Sequence, residues 1–105
     1  MKLAKNISNY IIRKFEENNF EYVEENYKEI IFEYIGNDVD YSFGEDNFLT
    51  PSQYDEYLES QDNIIRQHLK EMKERFKNKN INIEFSYMAL NFDSGIIPVI
   101  EVGVK

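Results

Sequence analysis

The sequence predicts one α+β domain over residues 1–105, an antiparallel sheet of four to five strands with two helices packed on it, in the order α-β-β-α-β-β. Three observations lead to this class. Two stretches repeat apolar residues at helical spacing, runs rich in aromatic and β-branched residues follow both, and the chain is long enough to bury one core. Because the chain has no cysteine, neither a disulfide framework nor a cysteine-bound zinc site is predicted.

The first helix is predicted over roughly residues 3–17 and is ended by Asn18-Asn19, two poor helix formers. Its core-facing stripe consists of Leu3, Ile7, Tyr10, Ile11 and Phe15. Glu29 to Ile35 is then predicted as a strand. Two interpretations stay open for Phe20 to Val23, which is either an extra short strand after the first helix or part of an irregular connection.

The stretch NDVDYSFGEDN, residues 37–47, raises the question of a calcium-binding loop. Oxygen-bearing side chains occupy the first, third and fifth ligand positions of an EF-hand, namely Asp38, Asp40 and Ser42. The two most restrictive positions do not fit, because Phe43 stands where the sharp turn needs glycine and Leu49 where a bidentate glutamate belongs. No metal site is therefore predicted.

The same stretch alternates apolar and polar residues, which is typical of a strand. Its apolar positions are Val39, Tyr41 and Phe43. Because Gly36-Asn37-Asp38 is a turn signal, we expect this strand to form a hairpin with the strand from Glu29 to Ile35.

A second helix begins at Thr50, where Thr50-Pro51-Ser52-Gln53 forms a capping box with proline at the first helical position. Its apolar stripe, widened by Tyr57 and Ile64, consists of Tyr54, Leu58, Ile65, Leu69, Met72 and Phe76. One uninterrupted helix to Lys77 would measure about 40 Å, which is long for a compact domain of this size. This length favours a break near residues 60–63.

Beside the apolar stripe of the second helix runs a lane of charges. Acids fill its first half and bases its second, in the order Asp55, Glu59, Asp62, Arg66, Lys70, Lys73 and Lys77. The helix dipole favours this order. A rival interpretation, that the basic half binds phosphates, is disfavoured by the net charge of −8.

The last third of the chain is predicted as a hairpin that turns at NFDSG, residues 91–95. Pro98 cannot donate to a ladder, so its strand lies at an edge or is bulged there. Apolar residues occupy both faces near the turn, with Met88, Leu90, Ile97 and Val99 opposite Tyr87, Ala89, Ile96 and Ile100. The sequence leaves open whether a second copy, a protein partner or the first helix covers the second face.

Charge is concentrated in the middle of the chain. From Glu16 to Asp62 the sequence carries fifteen acids against the single base Lys28. Aromatic and aliphatic residues are interleaved with these acids, so we expect a folded anionic surface rather than a disordered tail.

No catalytic site is predicted. His68 is the only histidine and lies at the margin of an apolar stripe, where it is interpreted as a half-exposed surface residue. Ser94 has no suitably spaced histidine, and the four glycines are too far apart for a phosphate-binding loop. We therefore expect a non-enzymatic protein without a cofactor.

The expected function is inhibition of a basic nucleic-acid-binding protein, such as a CRISPR effector, a restriction enzyme or a nuclease, by an anionic surface that imitates nucleic acid. Small acidic α+β proteins of phages and mobile elements, and immunity proteins that neutralise nuclease toxins, offer a class-level analogy. The partner-binding acids expected are Glu24, Glu25, Glu29, Glu33, Asp38, Asp40, Glu45 and Asp46.

Direct binding of nucleic acid or membrane is not expected. The first residues lack a signal peptide and no apolar run reaches the length of a membrane span, which predicts a cytoplasmic protein. The alternative function is a structural or oligomeric accessory domain without inhibitory activity, a homodimer formed through the C-terminal hairpin.

Overall fold

A computed structural model describes residues 4–43 and 48–105. The helices and strands in chain order are α1 (Lys5–Glu16), β1 (Phe20–Glu25), β2 (Glu29–Tyr34), α2 (Pro51–Lys77), β3 (Ile83–Phe92) and β4 (Gly95–Val104). The strands form one antiparallel sheet in the order β1-β2-β4-β3. This confirms the predicted α+β class and the order α-β-β-α-β-β.

Both helices contribute to a core on one face of the sheet. From α1, Phe15 stacks on Phe32 of β2 and on Phe76 of α2, with ring centroids 4.5 and 5.8 Å apart. From α2, Ile65, Leu69 and Met72 are buried in the same core, as the apolar stripe predicts. Strand residues at alternate positions complete it, namely Phe20, Ile30, Phe32, Tyr34, Ile83, Ile100 and Val102.

The first hairpin is formed by β1 and β2, so residues 20–23 belong to a true strand rather than an irregular connection. Asn19 takes a left-handed backbone conformation at φ 68° and redirects the chain out of α1. Asn26 closes the hairpin, because its side-chain oxygen accepts hydrogen bonds from the N–H groups of Lys28 and Glu29, both at 2.9 Å.

The predicted strand at Val39, Tyr41 and Phe43 is wrong, and residues 37–42 form a loop. Both edges of β2 are occupied, by β1 and by β4, so residues 37–42 cannot pair with β2 as a further strand. Its groups bond instead to the side chains of α2. The N–H of Asp40 donates to Gln61 Oε1 at 2.9 Å, and the hydroxyl of Tyr41 donates to Asp62 Oδ1 at 2.5 Å.

The expected break in α2 is also wrong, since the helix runs without interruption over 27 residues from Pro51 to Lys77. The molecule is elongated, with a long dimension of 47 Å, so a helix of about 40 Å fits it. Within the expected break, the buried side chain of Gln61 lies between Leu58 and Ile65, where the apolar stripe has no core residue. The capping box is confirmed, with Gln53 N donating to Thr50 Oγ1 at 3.2 Å.

The C-terminal hairpin is confirmed and reaches beyond the rest of the sheet. β4 pairs with β3 over its full length but with β2 only up to the pair of Glu33 with Val99. Pro98 lies one residue past that pair, where β4 has no partner on the β2 side, so the missing N–H breaks no ladder. The predicted edge position therefore holds locally, although β4 is an interior strand.

Candidate functional site

The second face of the sheet is left uncovered by the two helices, and we call it the open face. It presents the strand residues that alternate with the core positions. Its six glutamates are Glu21, Glu24, Glu29, Glu33, Glu84 and Glu101. No strand residue on this face is basic within the part of the chain that the structure describes. The interior strands β2 and β4 place Ile31 and Val99 between the acids.

The open face is divided along the strands into an acidic half and an apolar half. The six glutamates lie at the end where all four strands pair. The other end is the projecting hairpin, where Leu90 pairs with Ile97, and Met88 and Phe92 are 46% and 51% exposed. The loop at residues 37–42 borders the opposite side of this hairpin near Ile96 and Pro98, so one of its two apolar faces remains open.

Like charges face each other in the acidic half. Glu21 is the direct cross-strand partner of Glu33, a placement that costs stability. A hydrogen bond with Glu29, followed by the charge of Glu29 and by desolvation, raises the pKa of Glu101 above its ordinary value of 4.5. An ion pair of Lys105 Nζ with Glu84 Oε1 at 2.9 Å offsets one of the six charges. The acidic half is therefore electrostatically strained in the free protein.

The structure brings together only part of the predicted acidic set. Glu24, Glu29 and Glu33 share the open face. Glu25 lies on the helix-covered side, where its carboxylate accepts a hydrogen bond from Ser8 Oγ at 2.8 Å. Asp38 and Asp40 lie in the loop beside α2, away from the ladder positions of the sheet. Glu45 and Asp46 lie outside the described residues.

Asp38 is engaged inside the fold. Its two carboxylate oxygens bond to the hydroxyl of Tyr34 at 2.5 Å and to His68 Nε2 at 2.7 Å. Desolvation acts to raise the pKa of Asp38, but the hydrogen bonds from Tyr34 and His68 outweigh it and lower the pKa below 3.8. His68 also stacks on the Tyr34 ring, with centroids 5.3 Å apart. This half-exposed histidine therefore anchors the loop to α2 and β2.

Asp40 supports the loop through local bonds. Its carboxylate accepts hydrogen bonds from both the N–H and the hydroxyl of Ser42, which hold its pKa below the ordinary value. Its carbonyl oxygen accepts a hydrogen bond from the Tyr57 hydroxyl. These contacts explain the alternation of aspartates that the sequence shows between residues 38 and 42. No group of three or more histidines or acids is arranged to hold a metal ion within residues 4–43 and 48–105.

A second polar cluster joins the loop, α2 and β3. The hydroxyls of Tyr41 and Tyr87 both donate to Asp62 Oδ1 and lie 2.5 Å from each other. Burial, and then the hydrogen bond to Asp62, raise the pKa of Tyr41 above its ordinary value of 10.0. A tyrosine with a raised pKa stays protonated and serves as a hydrogen-bond donor, so this cluster positions the loop and supplies no nucleophile.

Sequence reasoning missed three of the six glutamates in the acidic half. Glu21, Glu84 and Glu101 are not among the expected partner-binding acids. Glu21 lies within the acidic block, and the other two lie far along the chain from it. The signal that could have found them is position parity, since each alternates with a core residue of its strand. Antiparallel pairing then places them beside Glu33, Gly103 and Glu29.

Comparisons with known proteins found no family model, no curated protein and no solved structure that matches the chain. Neither described helix is both long and apolar enough to cross a membrane.

Proposed function

We propose that this is a non-enzymatic, cytoplasmic interaction protein that inhibits a basic nucleic-acid-binding enzyme by offering the acidic half of its open face in place of nucleic acid. A CRISPR effector, a restriction enzyme and a nuclease are the candidate targets, and a phage or another mobile element is the expected carrier. The acids that carry the proposal are now the six glutamates of the open face rather than the set expected from the sequence.

The observation that carries the proposal is the tolerated repulsion in the acidic half. Glu21 opposite Glu33 and Glu29 beside Glu101 both destabilise the free protein. A stretch of sheet that disfavours itself in this way is typical of a surface whose charges are matched by a partner. The lysines and arginines of a nucleic-acid groove would supply that match and would gain from long-range attraction.

The shape of this end of the molecule also suits a basic partner. A groove of about 550 Å³ is lined by Glu29, Glu84 and Glu101 and also by Lys28 and Lys73. Its three carboxylates outnumber its two ammonium groups, and apolar wall is added by Phe85 and Val104, which suits the charged head and aliphatic stem of a lysine or arginine. Interspersed Ile31 and Val99 add apolar contact area on the same face.

Two variants of equal net charge test the proposal. Glu21→Gln/Glu33→Gln/Glu101→Gln neutralises three of the six glutamates of the open face, and Glu16→Gln/Glu71→Gln/Glu74→Gln neutralises the same number of acids on the helices. Immobilised proteins are used to capture partners from the native host at low and at moderate salt, followed by nucleic-acid competition with the recovered enzyme. We expect the open-face variant to weaken binding about tenfold or more and the helix variant to bind like wild type.

Three results would count against the proposal. Equal binding by both variants would show that the glutamates of the open face do not contribute to partner binding. Binding that resists moderate salt would exclude electrostatic attraction as its basis. A tight, salt-dependent shift of DNA or RNA by the isolated protein would identify a nucleic-acid binder instead of a mimic.

The alternative, an oligomeric accessory domain without inhibitory activity, is favoured by the apolar half of the open face. Met88, Leu90 and Phe92 lie side by side along the projecting hairpin, and two of them are about half exposed. Substituting Met88→Ser/Phe92→Ser should weaken a concentration-dependent assembly under this alternative, whereas the inhibitor proposal requires the glutamates for binding.

A further inference from the structure

β3 forms a long and regular free edge of the sheet. It has ten residues, its pairing with β4 shows no register shift, and β4 is its one strand partner in the described part of the chain. The opposite edge strand, β1, has six residues and a bulge between Tyr22 and Glu24. Bulges and short strands protect an edge from pairing, and β3 has neither.

The register identifies which backbone groups of β3 face outward. The N–H of Lys105 donates to the carbonyl of Asn82 at 2.8 Å, so Asn82 and every second residue after it bond to β4. The residues between them direct their N–H and C=O groups away from the sheet, and these are Ile83, Phe85, Tyr87, Ala89 and Asn91. Ala89 is opposite Pro98, which has no N–H to offer, in agreement with this assignment.

The charged lane of α2 lies directly above this edge. Asp62 accepts a hydrogen bond from the Tyr87 hydroxyl at 2.8 Å, and the Arg66 guanidinium lies 5.5 Å from the centre of the Tyr87 ring. About two helical turns further along α2, Lys73 lies 5.9 Å from the centre of the Phe85 ring. The lane and the outward backbone of β3 therefore form one continuous strip along the same side of the molecule.

Six of the seven charges in this lane are antisymmetric about Ile64, and Lys77 is the one without a counterpart. Asp62 and Arg66 lie two positions on either side of it, and Asp55 and Lys73 lie nine positions on either side. Glu59 and Lys70 lie five positions before and six positions after it. A lane of this kind is complementary to a copy of itself that runs in the opposite direction, which is the relation that a two-fold axis creates.

We propose that β3 pairs antiparallel with β3 of a second copy across a two-fold axis near Tyr87, which joins two sheets into one of eight strands. The two α2 helices then run antiparallel above the junction, with the acids of one beside the bases of the other. We choose a second copy as the partner because a single two-fold axis would pair both the β3 strands and the charged lanes of the α2 helices. Asp62 and Arg66, which flank the centre of the lane, both contact Tyr87, which lies near the centre of β3.

The open face tolerates this arrangement. A register centred on Tyr87 places Glu84 of one copy opposite Leu90 of the other, so the two acidic halves lie on opposite sides of the axis and each borders the apolar half of the other copy. The inference concerns assembly and does not depend on the proposed inhibition, because the acidic halves remain uncovered in the dimer.

Charge reversal in the lane tests the pairing of helices. Glu59 and Lys70 are exposed and lie too far apart on α2 to form a pair within one chain. Glu59→Lys alone and Lys70→Glu alone each place like charges against each other twice per dimer and should weaken dimerisation about tenfold, as measured by sedimentation equilibrium of the full chain. An equimolar mixture of the two variants should restore the dimer, because each copy then meets opposite charges.

Proline on the edge tests the pairing of strands. Ala89→Pro removes an outward N–H without touching the ladder to β4 and should abolish the dimer, whereas Ala89→Thr keeps the donor and should leave it intact. Circular dichroism establishes that both variants fold. A wild-type chain that stays monomeric at high concentration, a mixture of the charge variants that fails to recover the dimer, or equal dimerisation by Ala89→Pro and Ala89→Thr would each overturn the inference.

Discussion

The two faces of the sheet are built from the same strands and meet opposite conditions. On the helix-covered face, Phe32 and Ile100 are fully buried in the core to which both helices contribute. One residue away along β2 and β4, Ile31 and Glu101 lie on the open face, where carboxylates repel each other. The comparison shows that stability is concentrated on one face, which leaves the other free to carry a cluster of carboxylates.

The sharpest expected contrast between the faces lies within β2. Phe32→Ala removes a fully buried ring that stacks on Phe15 and should lower the free energy of unfolding by about 3–5 kcal/mol. Ile31→Ala removes a side chain that is only partly buried on the open face and should lower it by clearly less. Urea denaturation of both variants measures the difference, and similar losses would show that the open face is covered in solution.

The loop that closes the covered face should contribute a smaller amount. Tyr41→Phe removes the hydroxyl that donates to Asp62 and should cost about 1–3 kcal/mol, because this bond is to a carboxylate. Tyr27→Phe is the matched control, since this tyrosine is 64% exposed. If the two substitutions had equal effects on thermal unfolding, the tyrosine cluster would not anchor the loop.

The cap of α2 should rank below the loop. Thr50→Ala leaves the N–H of Gln53 without its partner and should lower the free energy of unfolding by about 1 kcal/mol. Ser52→Ala, two residues further along, serves as the control, and its unfolding midpoint in urea should stay close to that of wild type. A cap that contributed nothing would leave the two variants indistinguishable.

The smallest effect should come from the open face and should have the opposite sign. Glu29→Gln removes the charge that raises the pKa of Glu101, so the variant should be slightly more stable than wild type at neutral pH. Because a raised pKa in the folded state costs stability only as the pH rises through it, the gain should vanish below about pH 4.5. Unfolding midpoints measured across that range test this, with Glu24→Gln as the control.

Most of the fold could be predicted because its signals are local. The capping box at Thr50 and the stripe that ends at Phe76 define α2, and alternation defines β3. The errors arose where tertiary contacts decide. Tyr41 alternates like a strand residue, but both edges of β2 were already taken, and buried Gln61 keeps α2 continuous through a segment that looks like a break.

The acidic surface could be predicted only in part, since its membership depends on which strands become neighbours. Glu29 was expected to contribute, but its partner Glu101 lies far away in sequence and was not. Asp38 was expected to contribute and is instead held by Tyr34 and His68. Charge density along a chain indicates an anionic protein, whereas strand pairing decides which carboxylates share a face.

The pairing of β2 with β4 has a consequence for synthesis of the protein. Ile30 pairs with Val102, so the centre of the sheet joins an early part of the chain to a late one. Until β4 has left the ribosome, β2 lacks one of its two neighbouring strands, and β3 lacks the one strand that it pairs with in the described part of the chain. The aromatic core is then not covered by a complete sheet. The domain is therefore expected to complete its folding only after translation of β4.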